Sequence, residues 1–191
     1  MNLGDVIALM RLSIRDPIEG GRRILALNPP MSVRWMLLAA SVLVSVVLVY
    51  APALAVGGTE GLPAPFAFVA TQALMNLLVI GLITIIGRNF GGTGRFADVL
   101  WLLGWMQAMT TLLLVAQIVA ILVLPALHVP VAVASIALSI WVLVGYICAV
   151  HGFTSRIAVL IGGVMTFIVL SFVLSMILLF LGFAPPEIQN V

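Results

Sequence analysis

The chain has 191 residues, 64% of them hydrophobic and 7% charged, against roughly 45–50% and about 25% in an ordinary soluble domain. That composition excludes a soluble globular fold and a disordered chain. A net charge of +2 from eight cations and six anions is too sparse for a nucleic-acid footprint, so a membrane protein remains. All eight cations are arginine and lysine is absent, which with so much Ala, Val, Leu and Gly points to a GC-rich, bacterial coding genome.

Near the N-terminus Leu3, Val6, Ile7, Met10 and Ile14 recur at three- and four-residue steps, while Asp5, Arg11 and Arg15 fall elsewhere. This spacing predicts an amphipathic helix. Asp16-Pro17-Ile18-Glu19 then reads as a second helix start, with Asp as N-cap, Pro at the first position and Glu three residues on. That helix carries Arg22 and Arg23 and stops at Asn28-Pro29-Pro30. Residues 1–34 are expected to form a cytoplasmic amphipathic segment. Arg11, Arg15, Arg22 and Arg23 would face anionic headgroups or a partner, and a cap over the bundle is compatible with both.

A hydrocarbon core about 30 Å thick needs about 20 apolar residues of helix. Five stretches qualify: 35–56, 66–87, 99–124, 131–150 and 157–183. Nine of the ten prolines fall at or just outside their ends, where a missing N–H does least harm. The expected fold is therefore all-α: a bundle of five transmembrane helices over residues 35–183, preceded by one or two amphipathic helices and followed by a short tail, 184–191.

Orientation follows from the arginines, because cytoplasmic loops carry the positive excess. Arg11, Arg15, Arg22, Arg23 and Arg34 precede the first span, Arg88 and Arg95 lie between spans two and three, and Arg156 lies between spans four and five. All eight share one side, which puts the N-terminus in the cytoplasm and the tail outside an inner membrane. Ala53-Leu54-Ala55 resembles a signal-peptidase site, but the long, patterned segment before the first span argues against cleavage there.

Intramembrane chemistry is announced by ionisable residues at depth. Here Asp98, His128 and His151 all sit at span ends. Arg88, Arg95, Asp98, His151 and Arg156 are instead expected on a cytoplasmic rim. Cys148 is the single cysteine and supports neither a disulfide nor a thiolate metal site. Gly91-Gly92-Thr93-Gly94 lacks the Lys-Ser/Thr of a phosphate loop, and no HExxH occurs. It reads as a tight turn with positive-φ glycines. No catalytic residue, cofactor or metal is expected.

The buried polar candidates are amides, Gln72 and Asn76 on span two and Gln107 and Gln117 on span three, which commonly hydrogen-bond between helices. An alternative reading makes them the lining of a small permease or channel for a neutral or apolar solute. Span four carries small residues at Ser135, Ser139, Gly145 and Ala149, where backbones can approach closely, within the chain or in self-association.

Two stretches, GRNFGGTGRFADVLWLLGW at 87–105 and AVHGFTSRIAVLIGGV at 149–164, together with Asn-Pro-Pro before the first span, resemble the bacterial branch of the Yip1 family. In that family a glycine-containing turn and an aromatic lead into span three, and His-Gly followed by Ser/Thr and Arg closes span four. The resemblance implies a five-helix integral membrane protein with a cytoplasmic N-terminal region. Eukaryotic relatives act in vesicle trafficking with Rab-type GTPases, but the Asp-Leu-Tyr-Gly-Pro motif is missing here. The expected function is a non-enzymatic membrane scaffold or interaction protein. It would work through helix packing and a basic cytoplasmic face, with the lipid bilayer and other membrane proteins or a second copy as partners.

Overall fold

The computed structural model describes residues 2–55, 58 and 61–180. The end of the fifth span and the 184–191 tail lie outside the described residues. The chain divides into two units, one ending at Thr154 and the other starting at Ser155. Helices α1 (Leu3–Arg15), α2 (Pro17–Ala26), α3 (Met31–Ala55), α4 (Pro65–Asn89), α5 (Phe96–Val123) and α6 (His128–His151) form the first, and α7 (Arg156–Phe180) belongs to the second. Among the described residues no strand occurs, and α3 to α7 each supply a stretch long and apolar enough to cross a membrane.

Local chemistry sets the boundaries. Asn2 caps α1 reciprocally with Asp5, satisfying N–H groups that the first turn leaves free. Asp16 accepts from the Glu19 N–H and Pro17 takes the first position of α2. Both α3 and α6 begin a few residues before the apolar runs that mark them in sequence. Pro30 accepts from the Val33 and Arg34 N–H groups and so starts α3 early. Pro130 lies in the first turn of α6, where no intrahelical acceptor waits for an N–H. Pro52 sits inside the last turn of α3 rather than beyond it.

The core of the first unit gathers at the end where α3 and α5 start and α4 and α6 finish. Residues 99–105, two turns of α5, are buried all round, ringed by Ile24, Leu38, Ile80, Val142, Tyr146 and Val150. Three aromatic side chains tie the α1–α2 hairpin to this core. Trp101 Nε1 donates to the Ile24 carbonyl (2.8 Å), Trp141 Nε1 to the Ile14 carbonyl (3.0 Å) and the Tyr146 hydroxyl to Ser13 Oγ (2.8 Å). Both tryptophans reach carbonyls in the last turn of a helix, where acceptors outnumber intrahelical donors; the Ile24 carbonyl also accepts the Leu27 N–H (3.2 Å). Because Trp141 lies ten residues before His151, about 15 Å of helix, the hairpin leans well down the flank of α6.

Glycines permit that close approach. A Cβ on Gly145 would collide with Pro17, one on Gly21 would lie 2.8 Å from Ala149 Cβ, and one on Gly20 would lie 2.7 Å from Ser13 Cα. The small residues Gly145 and Ala149 thus receive α2. Ser135 and Ser139 donate to carbonyls four residues back in their own helix.

In the second unit, Ser155 Oγ accepts from the Ala158 N–H at the start of α7 (3.2 Å), and Ser175 Oγ donates to the Ser171 carbonyl. Both are bonds within the segment itself.

Candidate functional site

Of the expected surface arginines, Arg11, Arg15 and Arg22 are exposed, and so is Arg23, which pairs with Glu19 one turn back (3.0 Å). Such an exposed pair is worth well under about 1 kcal/mol. The apolar positions of α1 share one broad face, of which the structure covers only part. Val6, Leu9 and Met10 pack on the core and Ser13 is fully buried, whereas Leu3, Ile7 and Ile14 are exposed. Those three lie within about 40° of one another around the helix, and Arg11 and Arg15 flank them. The apolar face of α1 is therefore divided, one part against the protein and the adjoining part outward beside two cations.

The expected rim residues separate into exposed and buried. Arg88 and Arg95 are exposed at the end of α4 and just before α5. Asp98 stands in the first turn of α5, where a carboxylate favours the helix N-terminus, and it accepts from Arg34 Nη1 at 2.9 Å. Arg34, legible in sequence only as an orientation charge, is 6% exposed. Its guanidinium also donates to the carbonyls of Ala97 (2.6 Å) and Pro29 (3.0 Å) and to Asn28 Oδ1 (2.7 Å). Asn28 adopts φ +36° to present that oxygen, a conformation Asn tolerates better than most residues. One buried cation thus locks the α2–α3 corner to the start of α5. Arg156 opens α7, in the second unit.

His151 is 2% exposed and closes α6. Its Nδ1 accepts from the Gly94 N–H (3.2 Å) and its carbonyl from the Thr93 N–H (3.3 Å). Phe153 stacks on the ring at 5.4 Å. Nε2 has no partner in hydrogen-bond geometry, with the Ile83 carbonyl on α4 as an acceptor in its neighbourhood. The glycines of the α4–α5 turn explain the fit. Only Gly91 of the expected positive-φ glycines has a positive φ, +86°. Gly92, Gly94 and Gly87 are required for another reason: a Cβ on any of them would strike the imidazole, at 2.7 Å for Gly94. Sequence pattern pointed to the turn and the histidine separately, but their contact spans 57 residues and carries no local signal.

The four amides are all half-buried. Gln72 Oε1 accepts from Ser45 Oγ on α3 (3.3 Å), while Asn76 Nδ2 donates to the Gln72 carbonyl of its own helix (3.0 Å). The Gln107 carbonyl accepts from Thr110 and Thr111, and Gln117 lies ten residues, about 15 Å, further along α5. They do not converge on one point. Among the described residues no group of three or more His, Cys, Asp or Glu side chains could hold a metal ion.

No curated protein and no solved structure matches the chain. The Yip1 domain matches residues 11–181, from the exposed arginines of α1 past the end of α7. With five helices able to cross a membrane and that match over most of its length, the chain is an integral membrane protein in contact with lipid, and it belongs to the Yip1 family.

Proposed function

We propose that this Yip1-family protein is a non-enzymatic scaffold of a bacterial inner membrane, acting through helix packing and a basic cytoplasmic face. Residues 1–34 form the cytoplasmic cap, residues 35–183 the five-span body and residues 184–191 an external tail. The orientation is supported by the arginine pattern in the sequence, since five spans in alternation would put all eight on a single side. The observation that carries the reading is the α1–α2 hairpin. Its inward face is fixed to α5 and α6 by three side-chain hydrogen bonds, so its outward Leu3–Ile7–Ile14 stripe and Arg11, Arg15 and Arg22 are held in a set geometry. An apolar stripe beside cations suits the boundary between acyl chains and anionic headgroups, at about 1 kcal/mol per arginine.

Native mass spectrometry of the purified full chain tests the basic face. Wild type should retain anionic lipid, and a variant with Arg11, Arg15, Arg22 and Arg23 all changed to Gln should lose most of it while keeping zwitterionic lipid. Equal retention would remove the lipid-facing role. The bond from Ser45 to Gln72 and the intrahelical bond of Asn76 support amides that serve packing rather than a solute path. Solute flux through proteoliposomes above that of protein-free vesicles would overturn this part.

A further inference from the structure

We propose that protonation of His151 releases the 90–95 turn from the end of α6, making this contact an acid-sensitive latch. The inference stands on the geometry of the latch and is independent of the scaffold reading. Nδ1 accepts the Gly94 N–H at 3.2 Å, so the ring in this arrangement is the neutral tautomer with its proton on Nε2. A second proton has to go on Nδ1, where a backbone N–H already points at it. The acceptor disappears and two donors face one another.

No side chain around the ring offsets the new charge; the Ile83 carbonyl and the C-terminal end of α6 favour it, but neither restores an acceptor for the Gly94 N–H. The elements enclosing it carry Arg88 on α4, Arg95 in the turn and Asp98 on α5. The first two repel a cation, and the third already accepts from Arg34. On α6 itself the nearby titratable groups are Tyr146, which donates to Ser13, and buried Cys148. The Gly87, Gly92 and Gly94 backbones and the Phe153 ring complete the enclosure. They fit the imidazole too closely for it to turn in place. An imidazolium reaches water only if the turn lifts away, breaking the Gly94 and Thr93 contacts together and repositioning Arg88 and Arg95. Histidine is the side chain whose ordinary titration falls in the range where such a switch is useful.

Hydrogen–deuterium exchange on the full chain in lipid nanodiscs tests the latch. Peptides covering 88–98 and, as control, 66–75 are compared at about pH 7.5 and about pH 5 after correction for intrinsic exchange. The 88–98 peptide of wild type should lose protection about tenfold in acid, with 66–75 unchanged. His151→Asn keeps an acceptor oxygen near the Nδ1 position and cannot titrate, so its 88–98 protection should not depend on pH. Gly92→Ala forces the ring and turn apart and should show low 88–98 protection at both pH values. A pH-independent wild type, an equal acid response in His151→Asn or Gly92→Ala, or parallel loss in 66–75 would each overturn the latch.

Discussion

At the arginine-bearing end of the first unit, α1 and α2 close over two fully buried turns of α5, and an ion pair of a buried arginine with a half-buried aspartate, a histidine in a glycine cradle and three aromatic donors fix the helices to one another. At the other end the same helices present Leu54, Phe66, Leu122, Val123, Val129 and Val133 outward. There Tyr50 ties α3 to the start of α4 by donating to the Pro63 carbonyl and packing edge-on against Phe68 at 5.9 Å. The contrast follows from the solvent. Between helices in lipid no hydrophobic drive operates, and association depends on close packing and hydrogen bonds. Polar groups and glycines at one end give that end a specified geometry, while exposed aliphatic side chains elsewhere need only match acyl chains.

Among the polar contacts the largest effect should come from Arg34. Arg34→Met leaves the Asp98 carboxylate, the Asn28 amide and the Ala97 and Pro29 carbonyls without their common donor. Breaking a buried pair from one side costs about 3–5 kcal/mol, and the exposure of Asp98 places the expected loss at the lower end of that range. Unfolding of the reconstituted protein by SDS titration measures it. A loss no larger than that of an exposed-arginine variant such as Arg22→Gln would remove the distinction between this end and an ordinary charged rim.

Glycine substitutions sharpen the comparison next. Gly145→Ala drives a methyl into Pro17, whereas Gly81→Ala on α4 meets nothing within 4 Å. Overpacking costs about 1–3 kcal/mol, and Ala in an open helical site gains up to about 1 kcal/mol over Gly. The same chemical change should therefore destabilise at one position and stabilise at the other in thermal melts of the purified chain. Equal effects would mean that α2 does not seat on α6 as described.

A third, smaller effect belongs to the aromatic donors. Trp101→Phe keeps most of the apolar ring volume but removes one of the two donors to the Ile24 carbonyl, which keeps the Leu27 N–H, at about 0.5–1.5 kcal/mol for one lost hydrogen bond. The loss should appear mainly as faster backbone exchange in residues 17–26, because Trp101 holds that helix. Faster exchange confined to α5 would count against the role.

Elements whose signals are local were legible in the sequence. Five apolar lengths bounded by prolines gave the spanning helices, and the Asp16-Pro17-Glu19 start is realised in its capping bond. What escaped was long-range and depended on shape. Arg34 has the same residue type and flanks as a topology-setting arginine, and its burial depends on Asp98, 64 residues away. Gly92 and Gly94 read as turn glycines, yet they serve an imidazole delivered by another helix. The apolar spacing of α1 satisfies one amphipathic face in sequence. Only the packed hairpin shows that Ser13, a polar residue, points to the core while Leu3, Ile7 and Ile14 point away.

The smallest expected effect tests the other half of the comparison. Leu122, in the last turns of α5, is 72% exposed, and in a bilayer its side chain would trade protein neighbours for acyl chains. Leu122→Ala should then change stability by less than about 0.5 kcal/mol, whereas Leu102→Ala, on the same helix and 1% exposed, should cost about 2–5 kcal/mol. The two variants remove the same atoms from one helix, so propensity cancels and only the surroundings differ. SDS titration in one lipid composition compares them directly. A large loss at Leu122 would mean that this surface is covered by protein in the membrane, by a second copy or another chain, and that the apolar end of the bundle is an interface rather than a lipid boundary.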